Sequence, residues 1–297
     1  MRVNPNPLPD LLAALGQNQQ QINTDLAEIS SGQSVTVPSD DPASAALLVE
    51  NADQTAEADQ FQRSVSGLQG EMQNADSALN SVVTALQQAI SLGTEGANGT
   101  LNSSERQALA VEAQGIQSQL LSLANLSYQG NFVFAGTATQ TAPYVLDSTS
   151  PSGVSYVGNS DVNQVTVGNN LTVQANLPGS QLFSSSGNDV FQAIQDLITS
   201  LQDGNTTAIA TAVSEVSNAS GYIDAQRVFY GNTVNQLDSQ QTFLNSETTQ
   251  LAQQQNAVGG ADLPSVIGNL ENAQVARQAT LEAMSQTQQI NLFNYLK

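Results

Sequence analysis

Thirteen positions of one segment, Ile209, Val213, Val216, Ser220, Ile223, Arg227, Tyr230, Val234, Leu237, Gln241, Leu244, Thr248 and Leu251, advance by alternating steps of four and three, and nine are apolar. A strand repeats every second residue, and an ordinary surface helix carries a broader apolar stripe. A narrow seam of this spacing belongs to a long helix that must bury it against another helix, crossing it with a left-handed twist.

Similar seams run through most of the chain. Phe61, Val65, Leu68, Met72, Ala75, Leu79, Val82, Leu86 and Ala89 predict a helix from about Pro42 to about Gly93. Asp41 is its expected N-cap, with Pro42 in the first helical position. After a break at Gly96–Gly99, Asn102 and Glu105 have the spacing of a capping box. The helix they open carries Leu109, Ala113, Ile116, Leu120 and Leu123, and should end near Gly130. Val190, Phe191, Ile194, Leu197, Ile198 and Leu201 mark another helix, stopped by Gly204. Both ends of the chain have seams of their own. At the N-terminus, Leu8, Leu12, Leu15, Gln19, Ile22, Leu26 and Ile29 stop at Ser31-Gly32. After Gly259-Gly260 the series is Leu263, Ile267, Leu270, Gln274, Arg277, Leu281 and Met284, with Leu292, Phe293 and Leu296 closing the chain.

The period changes only between Asn131 and about Leu182, where Val, Thr, Phe and Tyr alternate with polar residues and Gly-Asn pairs punctuate the run. That pattern predicts a small module of short antiparallel strands. The expected fold is therefore mainly α: an elongated antiparallel helical bundle or coiled coil, built from paired N- and C-terminal segments, with a β-rich insertion. Three parts are expected: terminal helices 1–32 with 261–297, a helical core 33–135 with 188–260, and a β-rich insertion 136–187. Spacing alone leaves open whether the terminal seams are buried within one subunit or only on assembly, because a seam does not name its partner.

Composition narrows the function. The 297 residues include no His, no Cys and a single Lys, and the net charge is −20. Ser, Thr, Asn and Gln make up roughly 40%, while charged residues are only 11%. No imidazole base, thiolate nucleophile or zinc site of the usual kind can be assembled, and no Gly-Lys-Ser/Thr phosphate loop exists. Five scattered arginines cannot neutralise a row of phosphates or grip an anionic bilayer, so neither nucleic acid nor membrane is an expected partner. No catalytic residue, cofactor or metal is expected. A carboxylate-only glycosidase could manage without His, but 5% aromatics and no Trp leave little for sugar subsites. The N-terminus lacks a secretory-signal pattern, so any export is expected to need no cleaved signal.

Several further groups invite a functional reading. Asp40-Asp41 has the form of an acid pair, but no other ligands cluster beside it, and capping with turn formation explains both residues. Arg227 and Arg277 fall on seams, where the expectation is snorkelling or pairing with a nearby acid. Phe132, Phe134 and Tyr144 are expected in the core of the β module. Six Asn-x-Ser/Thr sequons occur, at Asn98, Asn102, Asn125, Asn170, Asn205 and Asn218. About that number is expected by chance at this composition.

Leu26-Ala27-Glu28-Ile29-Ser30-Ser31-Gly32, followed by Pro38-Ser39-Asp40-Asp41-Pro42-Ala43, resembles the N-terminal signature of the flagellin-related axial proteins. Other stretches resemble the hook–filament junction (hook-associated protein 3) branch of that family. They are Ala97-Asn98-Gly99-Thr100, Ala124-Asn125-Leu126, Gly130-Asn131-Phe132-Val133-Phe134-Ala135-Gly136-Thr137 and Leu292-Phe293-Asn294-Tyr295-Leu296. Tyr156-Val157-Gly158 and Leu177-Pro178-Gly179 are similar to that branch's β insertion.

The resemblance implies a secreted structural subunit of the bacterial flagellum, exported unfolded by the flagellar type III system. Its implied partners are copies of itself in a ring, the first hook-associated protein, flagellin and a flagellar export chaperone. It also implies terminal helices that order only on assembly, which makes Leu8, Leu12, Leu15, Ile22, Leu26, Ile29, Leu263, Ile267, Leu270, Leu281, Met284, Leu292, Phe293 and Leu296 the expected assembly interface. Gln33-Ser34 departs from the family pattern, in which basic residues commonly follow the Ser-Ser-Gly. Flagellin or a minor filament subunit is the competing reading within the family, and a secreted helical adhesin or tip protein the competing one outside it.

Overall fold

The computed structural model describes residues 8–295, with side chains through Thr287. The chain forms seven helices and six short strands among these residues: α1 (Leu8–Ser31), α2 (Pro42–Gly96), α3 (Ser103–Ala124), β1 (Ser127–Tyr128), β2 (Asn131–Phe132), β3 (Tyr144–Leu146), β4 (Val154–Tyr156), β5 (Gln164–Gly168), β6 (Leu171–Gln174), α4 (Gly179–Leu182), α5 (Val190–Asp203), α6 (Thr206–Gly259) and α7 (Leu263–Tyr295). The fold is mainly α with small antiparallel sheets, as the seams and the single change of period imply. Contacts divide the chain into two compact units, residues 1–57 with 246–297 and residues 58–245, so that α2 and α6 contribute to both.

In the unit spanning 58–245, α2 and α6 run antiparallel. Gln69 Nε2 donates to Asp238 Oδ1 at 2.5 Å, and Arg227 reaches Asp76. The seams meet in one apolar core. Every seventh residue of α6 from Ile209 through Val216, Ile223, Tyr230 and Leu237 to Leu244 is buried, as are Val65, Leu68, Met72, Ala75, Leu79, Val82, Leu86 and Ala89 on α2. Full burial of each Leu, Val or Ile contributes about 1.5–3 kcal/mol. Helix α3 packs on α5 along the same core. Gly93 is a point of close packing: a Cβ there would meet Val213 Cγ2 and Leu197 Cδ1.

The predicted helix starts are present as local chemistry. Asp41 Oδ1 accepts from the Ala43 and Ser44 amides at 3.0 and 3.2 Å. Asn102 and Glu105 form the reciprocal capping box at 2.9 and 2.8 Å. Asp189 caps α5, and Gly204 ends it in the left-handed conformation.

Helix α3 stops at Ala124, earlier than the expected end near Gly130, and the first strand begins at Ser127 instead of Asn131. The reason is tertiary. Asn125 acts as a strand partner for Tyr144, its Nδ2 donating to the Tyr144 carbonyl at 2.8 Å and its Oδ1 accepting from the Tyr144 amide at 2.9 Å.

The β module consists of three antiparallel hairpins, β1–β2, β3–β4 and β5–β6. Phe134 and Tyr144 are buried in the core, as expected, whereas Phe132 is half-buried. Phe134, Tyr144, Phe183 and Phe191 form an aromatic group with ring centroids 5.1–6.4 Å apart. Gly179 lies under it, where a Cβ would stand 2.8 Å from Tyr144 Cε2 and 2.9 Å from the Phe134 carbonyl oxygen.

Candidate assembly site

The second unit pairs α1 with α7. The two helices are antiparallel: Asn18 Nδ2 lies 3.5 Å from Thr280 Oγ1, and Arg277 Nη1 donates to Gln19 Oε1 at 3.2 Å. Gly32, with φ +69°, ends α1 where the left-handed residue was expected. Beyond it, the Ser34 amide donates to the Gly259 carbonyl at 2.8 Å and the Ala261 amide to the Gly32 carbonyl at 3.0 Å. The link after the Ser-Ser-Gly is therefore a neutral backbone ladder. Asp40 closes the following turn, its Oδ2 accepting from the Val37 and Thr36 amides at 2.9 and 3.1 Å. The Val37 amide and the Thr36 hydroxyl hold the Asp40 carboxyl below the usual range. The Ser44 hydroxyl and amide do the same for Asp41. Both aspartates serve as turn and cap.

The pair does not bury the whole of either predicted seam. On α1, Ile22 is buried, and Leu8, Leu15 and Ile29 are half-buried. Leu12 and Leu26 are 51% and 49% exposed. The least exposed face of α1 also carries Leu11, Asn18 and Asp25. On α7, Leu270 and Met284 are half-buried beside the buried Val266 and Ala273, while Leu263, Ile267 and Leu281 are 42–46% exposed. A groove of about 380 Å³ runs along this face, lined by Ile22, Gln274, Arg277, Gln278 and Leu281. The side chains of Leu292 and Phe293, and Leu296 altogether, lie outside the described residues.

Asp25 is the odd member of the inner face. It is 2% exposed, Gln21 Nε2 donates to its Oδ1 at 2.9 Å, and its Oδ2 has no hydrogen-bond partner. Glu28, three residues on, is pushed above the ordinary carboxylate range by burial and by the Asp25 and Asp40 charges. Sequence reasoning passed over Asp25 because it lies one column beside the apolar seam, and its burial depends on which column α7 covers.

The other candidates have structural roles. Arg227 pairs with Asp76 and Asp224, and Arg277 with the amide of Gln19. An acidic hollow of about 190 Å³ lies beside the start of α5, lined by Asp189, Asp196 and Glu215 among others. Burial pushes Asp189 above the usual range. Among the described residues no group of three or more acidic, His or Cys side chains is placed to hold a metal ion, and no helix is long and apolar enough to cross a membrane.

Comparison with known proteins bears on this helical pair directly. Residues 9–139 match the bacterial flagellin N-terminal helical region, and residues 212–296 the bacterial flagellin C-terminal helical region. The flagellar hook-associated protein 3 of Salmonella typhimurium is 26% identical over 290 residues, 90% of each chain. That of Escherichia coli is 29% identical over 199 residues, 64% of this chain and 59% of the relative's own length. The structure of the flagellar hook associated protein-3 from Legionella pneumophila shares the fold with a TM-score of 0.63 at 15% identity, covering 70% of this chain and 98% of that one. With flagellin's two helical regions in order at its two ends, and hook-associated protein 3 relatives along its length, the chain belongs to the flagellin-like axial protein family.

Proposed function

We propose that this protein is a structural subunit of the bacterial flagellum that forms the junction between hook and filament. The observation that carries the reading is the α1–α7 pair, whose Leu12, Leu26, Leu263, Ile267 and Leu281 stay exposed in the single chain. Neighbouring copies would cover these residues and offset the entropy of ordering the terminal helices. The assembly interface proposed from the heptads comprises these residues with Leu8, Leu15, Ile22, Ile29, Leu270, Met284, Leu292, Phe293 and Leu296. Copies of the chain form a ring, the first hook-associated protein lies below it and flagellin above it, and an export chaperone holds the chain before it passes through the flagellar type III channel. The subunit then works outside the cell, and its role is mechanical rather than catalytic.

Deleting residues 1–29 or 263–297 is expected to leave a folded, soluble monomer that no longer assembles, read by circular dichroism and by pelleting. Equal assembly after truncation overturns the interface. Loss of the gene is expected to leave hooks without filaments while flagellin accumulates in the medium. Normal filaments in that strain would instead assign the chain to the filament as a minor subunit.

A further inference from the structure

Asn98 is the only asparagine in the chain that is followed by glycine. The two residues lie between α2 and α3, within the unit spanning 58–245, and both are exposed. An Asn-Gly pair holds a nucleophile and an electrophile side by side. The glycine amide nitrogen, once deprotonated, attacks the asparagine side-chain carbonyl carbon, and no Cβ obstructs the approach. A fold suppresses this reaction when it ties up the nitrogen or pulls the side-chain amide away.

The turn at Asn98 does neither. Among the described residues the Gly99 amide donates to nothing, and Asn98 Nδ2 has no partner. A Cβ on Gly99 would find nothing within 4 Å, so the nucleophile faces water. Asn98 Oδ1, by contrast, is fixed. It accepts from the Thr100 amide at 3.1 Å and from the Thr100 hydroxyl at 2.9 Å, which makes an Asx turn. The ring closed by that amide bond contains both Asn98 Cγ and Gly99 N, and so folds the electrophile back over the nucleophile. The backbone of Asn98 is pinned as well: its amide donates to the Glu95 carbonyl at 3.0 Å, and its carbonyl accepts from the Leu101 amide at 3.3 Å. The two Thr100 donors stand where negative charge develops as Cγ is attacked, the arrangement of an oxyanion hole.

Asp203-Gly204 offers the same chemistry in sequence and the opposite geometry. Its glycine amide is engaged, donating to the Ser200 carbonyl at 3.0 Å, and Arg106 Nε lies 3.2 Å from where a Gly204 Cβ would stand. The fold blocks one pair and leaves the other open.

We propose that Asn98 is a self-modification site, converted in the folded protein to aspartate and isoaspartate. The Gly99 nitrogen gives its proton to solvent and bonds to Asn98 Cγ. The tetrahedral oxyanion on Oδ1 collapses by breaking the Cγ–Nδ2 bond, and Nδ2 takes up a proton and leaves as ammonia. Water then opens the succinimide ring. Breaking the new Cγ–N bond gives aspartate, and breaking the backbone C–N bond gives isoaspartate. The net change is one water gained and one ammonia lost, with no other reactant. Both products keep the oxygen held by Thr100 and the oxygen held by Leu101, so the reaction does not require the turn to be given up. The chain gains one negative charge beyond its −20. The site is independent of the assembly reading.

Full-length protein is incubated at neutral pH in water labelled with heavy oxygen. The peptide bearing residue 98 is read by mass spectrometry, and isoaspartate by enzymatic methylation. Label is expected at residue 98 ahead of every other asparagine, and at least as fast in the native chain as in the guanidinium-unfolded one. Label that enters only after unfolding, or no faster than elsewhere, overturns the proposal. Gly99→Ala meets no neighbour and should slow labelling about tenfold; an unchanged rate would refute the route. Thr100→Val deletes one donor to Oδ1 and should slow labelling about threefold in the native chain alone. An unaltered native rate would remove the oxyanion contact from the mechanism. Asp203 should yield isoaspartate only when unfolded, and its appearance in the native chain at the rate of Asn98 would show that the fold does not select between the two pairs.

Discussion

Arg227 clasps Asp76 from 151 residues away in sequence, Nε donating to Oδ1 at 2.9 Å and Nη2 to Oδ2 at 3.2 Å, while Nη1 reaches Asp224 one turn back. A guanidinium at a seam position thus joins α2 to α6 through a two-pronged contact that a lysine cannot reproduce. Both side chains remain partly in water, so the contact contributes modestly. Arg227→Lys is expected to lower stability by about 0.5–1 kcal/mol. A double-mutant cycle with Asp76→Asn should return a coupling of the same size, measured by urea unfolding at low salt and shrinking at 1 M salt.

Gly93 and Gly67 lie in the same helix and should respond to alanine with opposite signs. A Cβ at Gly93 meets Val213 and Leu197, and Leu197 is fully buried with little room to yield. Overpacking costs about 1–3 kcal/mol, against roughly 0.5–1 gained from helix propensity, so Gly93→Ala should destabilise. Nothing lies within 4 Å of a Cβ at Gly67, and Gly67→Ala should stabilise by roughly 0.5–1 kcal/mol. Denaturant midpoints with an unchanged m-value would report both.

Asn102 and Glu105 satisfy two amides at the start of α3 that have no partner within the helix. Asn102→Ala removes the half in which the side-chain Oδ1 accepts from the Glu105 amide, and leaves the backbone amide of residue 102 to donate to the Glu105 carboxylate. A loss of about 1 kcal/mol is expected by urea unfolding. Hydrogen exchange should quicken first at the amides of residues 103–106.

Burial pushes the Glu71 carboxyl above its ordinary 4.5. The sign follows from linkage. The folded chain binds this proton more tightly than the unfolded chain, so the group weakens the fold at neutral pH. The penalty disappears as pH falls through the raised folded value towards 4.5. Glu71→Gln should therefore raise Tm at pH 7 and leave it unchanged near pH 4, where wild type carries the proton itself. Asp40 and Asp41 work the other way. Their folded values are depressed, so the stability they contribute is intact above the ordinary carboxylate value and fades as pH falls through the folded one. A thermal melt series across pH 3–8 on E71Q, D40N and D41N checks both directions.

Helix positions were legible wherever a terminus carried its own chemistry. Asp41 with Pro42, Asn102 with Glu105, Gly32 and Gly204 are local devices, and each is found at the predicted helix end. The end of α3 was not legible, because the residue that decides it, Asn125, bonds to a strand 19 residues further on. No periodicity within α3 encodes that partner.

The terminal helices draw the same line at the level of function. Sequence alone determined that α1 and α7 are helices, that α1 stops at Ser31-Gly32 and α7 starts at Leu263, and that Leu15, Ile22 and Ile29 and Leu270, Arg277 and Met284 fall on their seams. A chain without His or Cys and with one Lys also offers few groups for catalysis beside its long seams. Only the tertiary structure decided which flanking column each helix turns inward. On α1 the two candidate seams, one flanked by Leu11, Asn18 and Asp25 and the other by Leu12, Gln19 and Leu26, differ by about 50° of rotation and share the column of Leu15, Ile22 and Ile29, so heptad spacing is equally consistent with both. The choice depends on what covers the helix. In the single chain the covering surface is the other terminal helix, and it buries Asp25 while leaving Leu12 and Leu26 in water.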